Sequence, residues 1–432
     1  GKTGVEYITL SGGEPLMRDD WPLIAETLSK SGVIPNMISN GWFFTDDIAQ
    51  KAKQANISNI AISIDGLRDS HDYLRRIGSF DRALFALEIM KKYSLPSSVV
   101  TTINKRNLSQ LDEMLVLFEK NGIYSWQLQI GSPMGNLTDH PDLVIEPSDI
   151  QTIIDFAHRQ AGKTKVTIHL ADCIGYYTQK ESEIRAACYR CSSEVSIWQG
   201  CHAGIRSFGI RANGDIIGCT SIRDTGFIEG NIRQRSFTDI WNDPKSFSWN
   251  RDFSPSDLSG FCGRCQYGFL CRAGCSVTKM TTSHTIRENT YCVFRVEMEK
   301  IARSTPILSS DQMLSLARKY IEENDYQGAE VVLFKALERY PQEAELLELI
   351  GYVYFQMQKY ELCRKANETV LRRYKDRCYA LKGLGLALWK LGYPDEAVAR
   401  LKRAVEVAPA GYDDPQHDLN IVLESLKGSG NK

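Results

Sequence analysis

Four cysteines fall within fourteen residues: Cys262, Cys265, Cys271 and Cys275. Thiolates held this close repel one another unless positive charge sits among them. A metal ion or an iron–sulfur cluster supplies that charge and takes sulfur as ligand. Gly263, Gly268 and Gly274 interrupt the run and allow the backbone to curl around such a centre. Of the chain's twelve cysteines, ten lie between Cys173 and Cys292; Cys188, Cys191, Cys201 and Cys219 are the others ahead of the dense stretch. A disulfide scaffold suits short secreted chains, whereas this chain has 432 residues and no signal-peptide pattern. Structural zinc sites are the competing reading, because CxxC is a common zinc spacing.

A chain of this length has room for two or three domains with real cores. Its 52 basic and 53 acidic residues leave a net charge of −1. That balance gives no reason to expect a nucleic-acid partner. No apolar run is long enough to span a membrane as a helix, so no membrane partner is expected. Many cysteines without a disulfide framework point to a reducing, cytoplasmic setting.

Residues 1–170 alternate short apolar runs with amphipathic stretches. The pattern predicts strands at Val5–Leu10, Ile34–Ser39, Asn59–Ile64, Ser98–Ile103, Trp126–Ile130 and Val166–Leu170. It predicts helices near 20–31, 45–55, 80–93, 107–121 and 147–161. Strand then helix, repeated, implies an α/β fold with a parallel sheet and right-handed crossovers. The working residues of such sheets lie at the carboxyl ends of the strands. Those ends read Ser11-Gly12-Gly13-Glu14-Pro15, Ser39-Asn40-Gly41, Ser63-Ile64-Asp65-Gly66, Thr101-Thr102-Ile103-Asn104 and Gln127-Leu128-Gln129-Ile130-Gly131. Each alone is an ordinary turn. Five on one rim offer a polar ligand many hydrogen bonds and close backbone approach.

These motifs resemble the radical SAM superfamily. Gly12, Gly13, Glu14 and Pro15 resemble the segment that holds the amino group of S-adenosyl-L-methionine. Ser39 and Asn40, then Ser63 and Asp65, resemble later contacts to its carboxylate and ribose. His71-Asp72-Tyr73-Leu74-Arg75 followed by Gly78-Ser79-Phe80 is similar to the same group. The cysteines of 201–292 resemble the SPASM extension: Cys201, Gly214, Cys219, Cys262, Cys265, Cys271, Cys275 and Cys292 stand in its order. The resemblance covers about residues 1–300. It implies two auxiliary 4Fe–4S clusters, the first held by Cys201, Cys219 and Cys275, the second by Cys262, Cys265, Cys271 and Cys292. For the missing ligand of the first, Cys191 is preferred, ahead of Cys188 and then Cys173. Independently of resemblance, Asn213-Gly214 is a hairpin signal, and a hairpin there returns Cys219 toward Cys201.

One departure is large. The Cys-x3-Cys-x2-Cys motif that carries the reactive cluster of this family does not occur in the 432 residues. The expectation is a partial (β/α)6 barrel whose first strand and cluster loop lie upstream in a longer parent protein. The segment alone is then expected to be inactive in cleaving S-adenosyl-L-methionine.

Beyond residue 300 a period of 34 appears. Ala317, Gly351 and Gly385 are 34 apart, as are Tyr320, Tyr354 and Leu388. So are Ala329, Cys363 and Ala397, and Ala336, Val370 and Ala404. This is the tetratricopeptide pattern, two antiparallel helices per unit with small residues where they cross. Cys363 occupies such a crossing, so it reads as core. A capping helix is expected over 415–427. The domain reading is 1–170 for the partial barrel, 171–303 for the cysteine-rich SPASM part and 310–427 for an all-α repeat domain.

The resemblance implies a reduced cluster that cleaves S-adenosyl-L-methionine to a 5′-deoxyadenosyl radical, which takes hydrogen from substrate. It implies an oxidoreductase acting on a peptide or protein, maturing a ribosomally made peptide, with flavodoxin or ferredoxin as electron donor and the repeats presenting a partner. A sulfatase-maturing activity is disfavoured, because Thr220 stands where a carboxylate base is expected after Cys219. A cluster-bearing scaffold or electron-transfer protein without radical chemistry is the alternative from another class. No catalytic residue is singled out. His71 is a possible proton carrier, with a structural role as the simpler reading.

Overall fold

In the computed structural model, residues 4–188, 198–265, 267–304 and 308–429 are described. They form two units, Gly1–Glu297 and Met298–Lys432.

The first unit is built on six parallel strands in sequence order: β1 (Tyr7–Leu10), β2 (Ile34–Ser39), β3 (Asn59–Ser63), β4 (Ser97–Ile103), β5 (Ser125–Ile130) and β6 (Thr167–Leu170). β1 and β6 are its edges, so the sheet is an open one. The connecting helices are α1 (Trp21–Lys30), α2 (Asp46–Gln54), α3 (Arg68–Leu74), α4 (Ser79–Lys92), α5 (Leu111–Lys120) and α6 (Asp149–Gln160), followed by α7 (Gln179–Cys188). Helix starts follow local chemistry. Thr45 caps α2 by accepting the Ile48 amide, and Asp46 and Asp47 favour its positive end. The core lies between sheet and helices, where Trp126 of β5 meets Phe118 and Phe156 edge-on. Because the strands are parallel and in order, their carboxyl ends share one rim.

Past α7 the same unit carries a small antiparallel sheet, β7 (Gly209–Ile210), β8 (Asp215–Ile217) and β9 (Ile228–Asn231). The Asn213-Gly214 hairpin is present, with a four-residue connection closed by the Gly214 amide on the Arg211 carbonyl at 2.8 Å. Short helices and a π-helical turn at Lys279–Ser283 complete it.

The second unit contains three antiparallel helix pairs: Ser310–Glu322 with Tyr326–Arg339, Ala344–Gln356 with Tyr360–Arg373, and Cys378–Lys390 with Pro394–Glu406. A last helix, Asp414–Ser429, stands where the cap is expected and packs Leu419 and Val422 on Leu401. The 34-residue register is the packing register. Ala329, Cys363 and Ala397 have no exposed surface. A β-carbon on Gly385 would stand 2.7 Å from Leu401, so the close helix crossing depends on its absence.

Candidate functional site

The rim of the large sheet is organised by Glu14. Its Oε1 accepts the Leu16 amide at 3.1 Å and the Ser39 hydroxyl at 2.8 Å, while Oε2 accepts the Asn40 amide at 2.8 Å. Pro15 opens the short 3-10 turn that Glu14 caps. Gly12 lies at φ +138°, and no atom stands within 4 Å of a β-carbon built on either Gly12 or Gly13. The carboxylate is thus fixed beside open space over bare backbone, and its oxygens keep lone pairs for a further donor. That arrangement fits the amino group of S-adenosyl-L-methionine.

Asp65 follows β3 on the same rim. Its Oδ2 pairs with Arg75 at 2.7 Å and Oδ1 accepts the Thr102 amide at 2.7 Å. Its own amide donates to His71 Nδ1 at 3.0 Å. Asp72 then takes the Gly78 and Phe80 amides at the start of α4, both at 2.8 Å. The run His71–Arg75 is therefore a clamp that fixes the end of β3. His71 has no exposed surface, and its burial, with Arg75 nearby, pushes its pKa down to about 4. It is a neutral acceptor here, which favours the structural reading. Ser63 ends β3 on the same rim.

The cysteines form two sets. Cys262, Cys265, Cys271 and Cys292 line one pocket together with Tyr176, Tyr177, Tyr267 and Phe294. The Asn289 side-chain nitrogen is buried, lines the same cavity and has no partner among the described residues. Burial, then the neighbouring thiols, push Cys271 well above the ordinary thiol range and Cys265 in the same direction. Burial alone leads the rise of Cys292 to about 12. Bare thiols in this ring must stay protonated; iron would relieve both burial and repulsion. Among the described residues, no three His, Cys, Asp or Glu side chains converge on one point to hold a single ion. Cluster ligands need no such point, since each thiolate binds its own iron. Four thiols around an aromatic-walled cavity, with a free donor for sulfide, fit a 4Fe–4S cluster.

Backbone strain marks the same place. Arg272, Ala273 and Gly274 are consecutive left-handed residues, at φ +52°, +58° and +72°. Two of them are not glycine, a conformation that costs about 1–2 kcal/mol each. The curl turns the chain between Cys271 of the second set and Cys275 of the first. A β-carbon on Gly274 would stand 2.6 Å from the Tyr176 ring.

In the first set, Asn250 fixes Cys201 by donating to its carbonyl at 2.8 Å and to that of Ala203 at 2.7 Å. A β-carbon on Gly218, beside Cys219, would stand 3.1 Å from Ala203. The hairpin has thus brought Cys219 back to Cys201. Burial followed by the Cys201 thiol pushes Cys275 up to about 11, and Cys219 adds to it. Cys191 lies outside the described residues. Cys188 ends α7, where its thiol donates to the Ile168 carbonyl at 2.6 Å. Cys173 lies on the loop after β6, its sulfur accepting the Ile130 amide at 3.4 Å. Lys279 was not visible as a site residue in the sequence. It is 3% exposed and donates to the Arg272 carbonyl at 2.8 Å.

Comparison with known proteins agrees with this geometry. The Radical SAM superfamily matches residues 1–118, an iron–sulfur cluster-binding SPASM domain matches 201–266, and a tetratricopeptide repeat matches 383–410. An AdoMet-dependent heme synthase of Methanosarcina barkeri is 28% identical over 300 residues, 68% of this chain and 83% of the relative. The mycofactocin maturase MftC of Mycobacterium tuberculosis is 25% identical over 281 residues, 64% of this chain and 68% of the relative. Among solved structures, anSMEcpe with bound AdoMet aligns with a TM-score of 0.51 at 16% identity, over 67% of this chain and 76% of that one. Streptococcus suis SuiB bound to S-adenosylmethionine aligns at 0.52 and 15%, over 66% and 64%. When bound, such clusters and S-adenosyl-L-methionine supply one-electron chemistry that the side chains cannot. The chain thus matches the Radical SAM superfamily over its first sheet, an iron–sulfur cluster-binding SPASM domain over part of its cysteine-rich region and a tetratricopeptide repeat near its end, and these domains imply S-adenosyl-L-methionine and 4Fe–4S clusters as cofactors.

Proposed function

We propose that this chain serves a radical SAM/SPASM oxidoreductase that modifies a peptide or protein substrate. The observation that carries the reading is the tetratricopeptide unit in the same chain as the cluster-bearing one. Stacked helix pairs offer an extended surface to a peptide or partner. Tyr352, Tyr374, Tyr379 and Tyr393 are exposed on it, a composition common at peptide interfaces. In this reading Gly12, Gly13, Glu14, Pro15, Ser39, Asn40, Ser63 and Asp65 cradle S-adenosyl-L-methionine. The three-part division at 170 and 303 assigns these roles to barrel, cluster domain and repeats. A flavodoxin or ferredoxin supplies the electrons.

Relatives favour a second reading. Besides the heme synthase, an Fe-coproporphyrin III synthase of Methanosarcina barkeri is 28% identical over 252 residues. A tetrapyrrole substrate follows from those names. One experiment separates the two. The natural full-length protein is reduced anaerobically with S-adenosyl-L-methionine and offered either a genetically linked precursor peptide or Fe-coproporphyrin III. Loss of a hydrogen pair from the peptide, seen by mass spectrometry, supports the first reading. Turnover of the porphyrin with every peptide unchanged overturns it in favour of the second.

A further inference from the structure

We infer that Cys173 completes the first auxiliary cluster, joining Cys201, Cys219 and Cys275. The inference rests on the cofactor assignment above for those three and concerns only which thiolate is the fourth.

The loop after β6 is fastened to the cysteine-rich part at two points. Tyr176 donates its hydroxyl to the Asp172 carbonyl at 2.5 Å, and the same oxygen accepts the Cys275 amide at 2.9 Å. One atom therefore joins the backbone beside Cys173 to the backbone of Cys275. A few residues on, the Val293 amide donates to the Gly175 carbonyl at 3.0 Å, next to Cys292. The Cys173 sulfur is drawn to the sheet's carboxyl rim by the Ile130 amide. There it sits one residue from the Asp172 carbonyl that Tyr176 ties to the Cys275 amide. Cys275 in turn neighbours Cys201 and Cys219. Cys173 is partly exposed where it packs on the sheet core, so its sulfur is held at the rim and still open to a ligand.

Cys188 packs on the same core but against the body of β6. It lines a groove with Gly162, Thr164 and Val166, residues that lead into the amino end of β6. Its sulfur is engaged by Ile168 of that strand. A ligand there would be at the wrong end of the sheet. The remaining competitor is Cys191, which the experiment must decide.

The 432-residue chain and its Cys173→Ala, Cys173→Ser and Cys191→Ala variants are loaded anaerobically with ferrous iron and sulfide. Metal and sulfide are then counted, and EPR and Mössbauer spectra recorded. The parent chain should hold about eight iron, as two 4Fe–4S clusters require. Cys173→Ala should fall below that count and give a three-iron signal on mild oxidation; Cys191→Ala should match the parent. Cys173→Ser keeps the shape and the Ile130 bond, so its metal-free melting should match the parent, separating ligand loss from misfolding. Parent-like spectra for Cys173→Ala, or equal losses in Cys173→Ala and Cys191→Ala, overturn the inference. A parent chain that binds no iron defeats the cluster assignment itself, a different failure.

Discussion

Lys279 places a buried ammonium among four thiols. Burial lowers its pKa, and Cys201, Cys271, Cys275 and Cys262 oppose that shift. These belong to both cysteine sets, so the cation stands between two anionic clusters once they form. A positive charge stabilises the reduced state of each. Replacing Lys279 by Met should lower both midpoint potentials by roughly 90 mV, the effect of about 2 kcal/mol for charges about 8 Å apart at an effective dielectric near 20. Potentiometric EPR titration would show it, and unchanged potentials would place the lysine elsewhere. His71 gives a pH prediction. Its folded pKa of about 4 lies below the ordinary 6.5. The unfolded chain therefore binds the proton first, and the stability that neutral His71 contributes is present above about pH 6.5 and lost as pH falls toward 4. His71→Gln keeps an acceptor for the Asp65 amide. Its melting temperature should decline less steeply than the parent's across that window; parallel curves would remove His71 as the cause.

Elements differed in how openly the chain declared them. β2 runs over Ile34–Ser39 as alternation predicts, and the other strands shift by one or two residues. Short runs of β-branched and apolar residues between turn signals suffice for that. α3 and α7 are absent from the sequence reading. Arg68–Leu74 is seven residues long and mostly polar, so periodicity has nothing to register; the Asp65–Arg75 pair and the Leu67 amide on Gln110 at 3.0 Å hold it in place. Cys173 ranked last as a ligand for a related reason. It precedes Cys201 by many residues, and tertiary bonds of the loop after β6 bring it toward Cys275. The repeat helices were legible because their small residues recur in register. Gly385→Leu should therefore force apart Cys378–Lys390 and Pro394–Glu406 and cost about 1–3 kcal/mol. Loss of helical signal at lower temperature in the second unit, with the iron content of the first unchanged, is the expected result by circular dichroism and metal analysis.

At the scale of the molecule, the residues present divide the chemistry. The rim centred on Glu14 fits S-adenosyl-L-methionine, and the two cysteine sets fit auxiliary clusters. The 432 residues contain no Cys-x3-Cys-x2-Cys. This chain, iron-loaded and reduced by dithionite, should release no 5′-deoxyadenosine from S-adenosyl-L-methionine above the protein-free background. Chromatographic detection of steady release would show that another cysteine set drives the cleavage. The Tyr176 hydroxyl has one more consequence. It ties the end of the sheet to the cysteine stretch across a region that, without metal, crowds buried thiols and left-handed backbone together. Metal uptake and the fastening of this region are then coupled. A cell short of iron would hold this polypeptide with its clasp loosened, and proteases would meet the loop around Asp172–Tyr177 first.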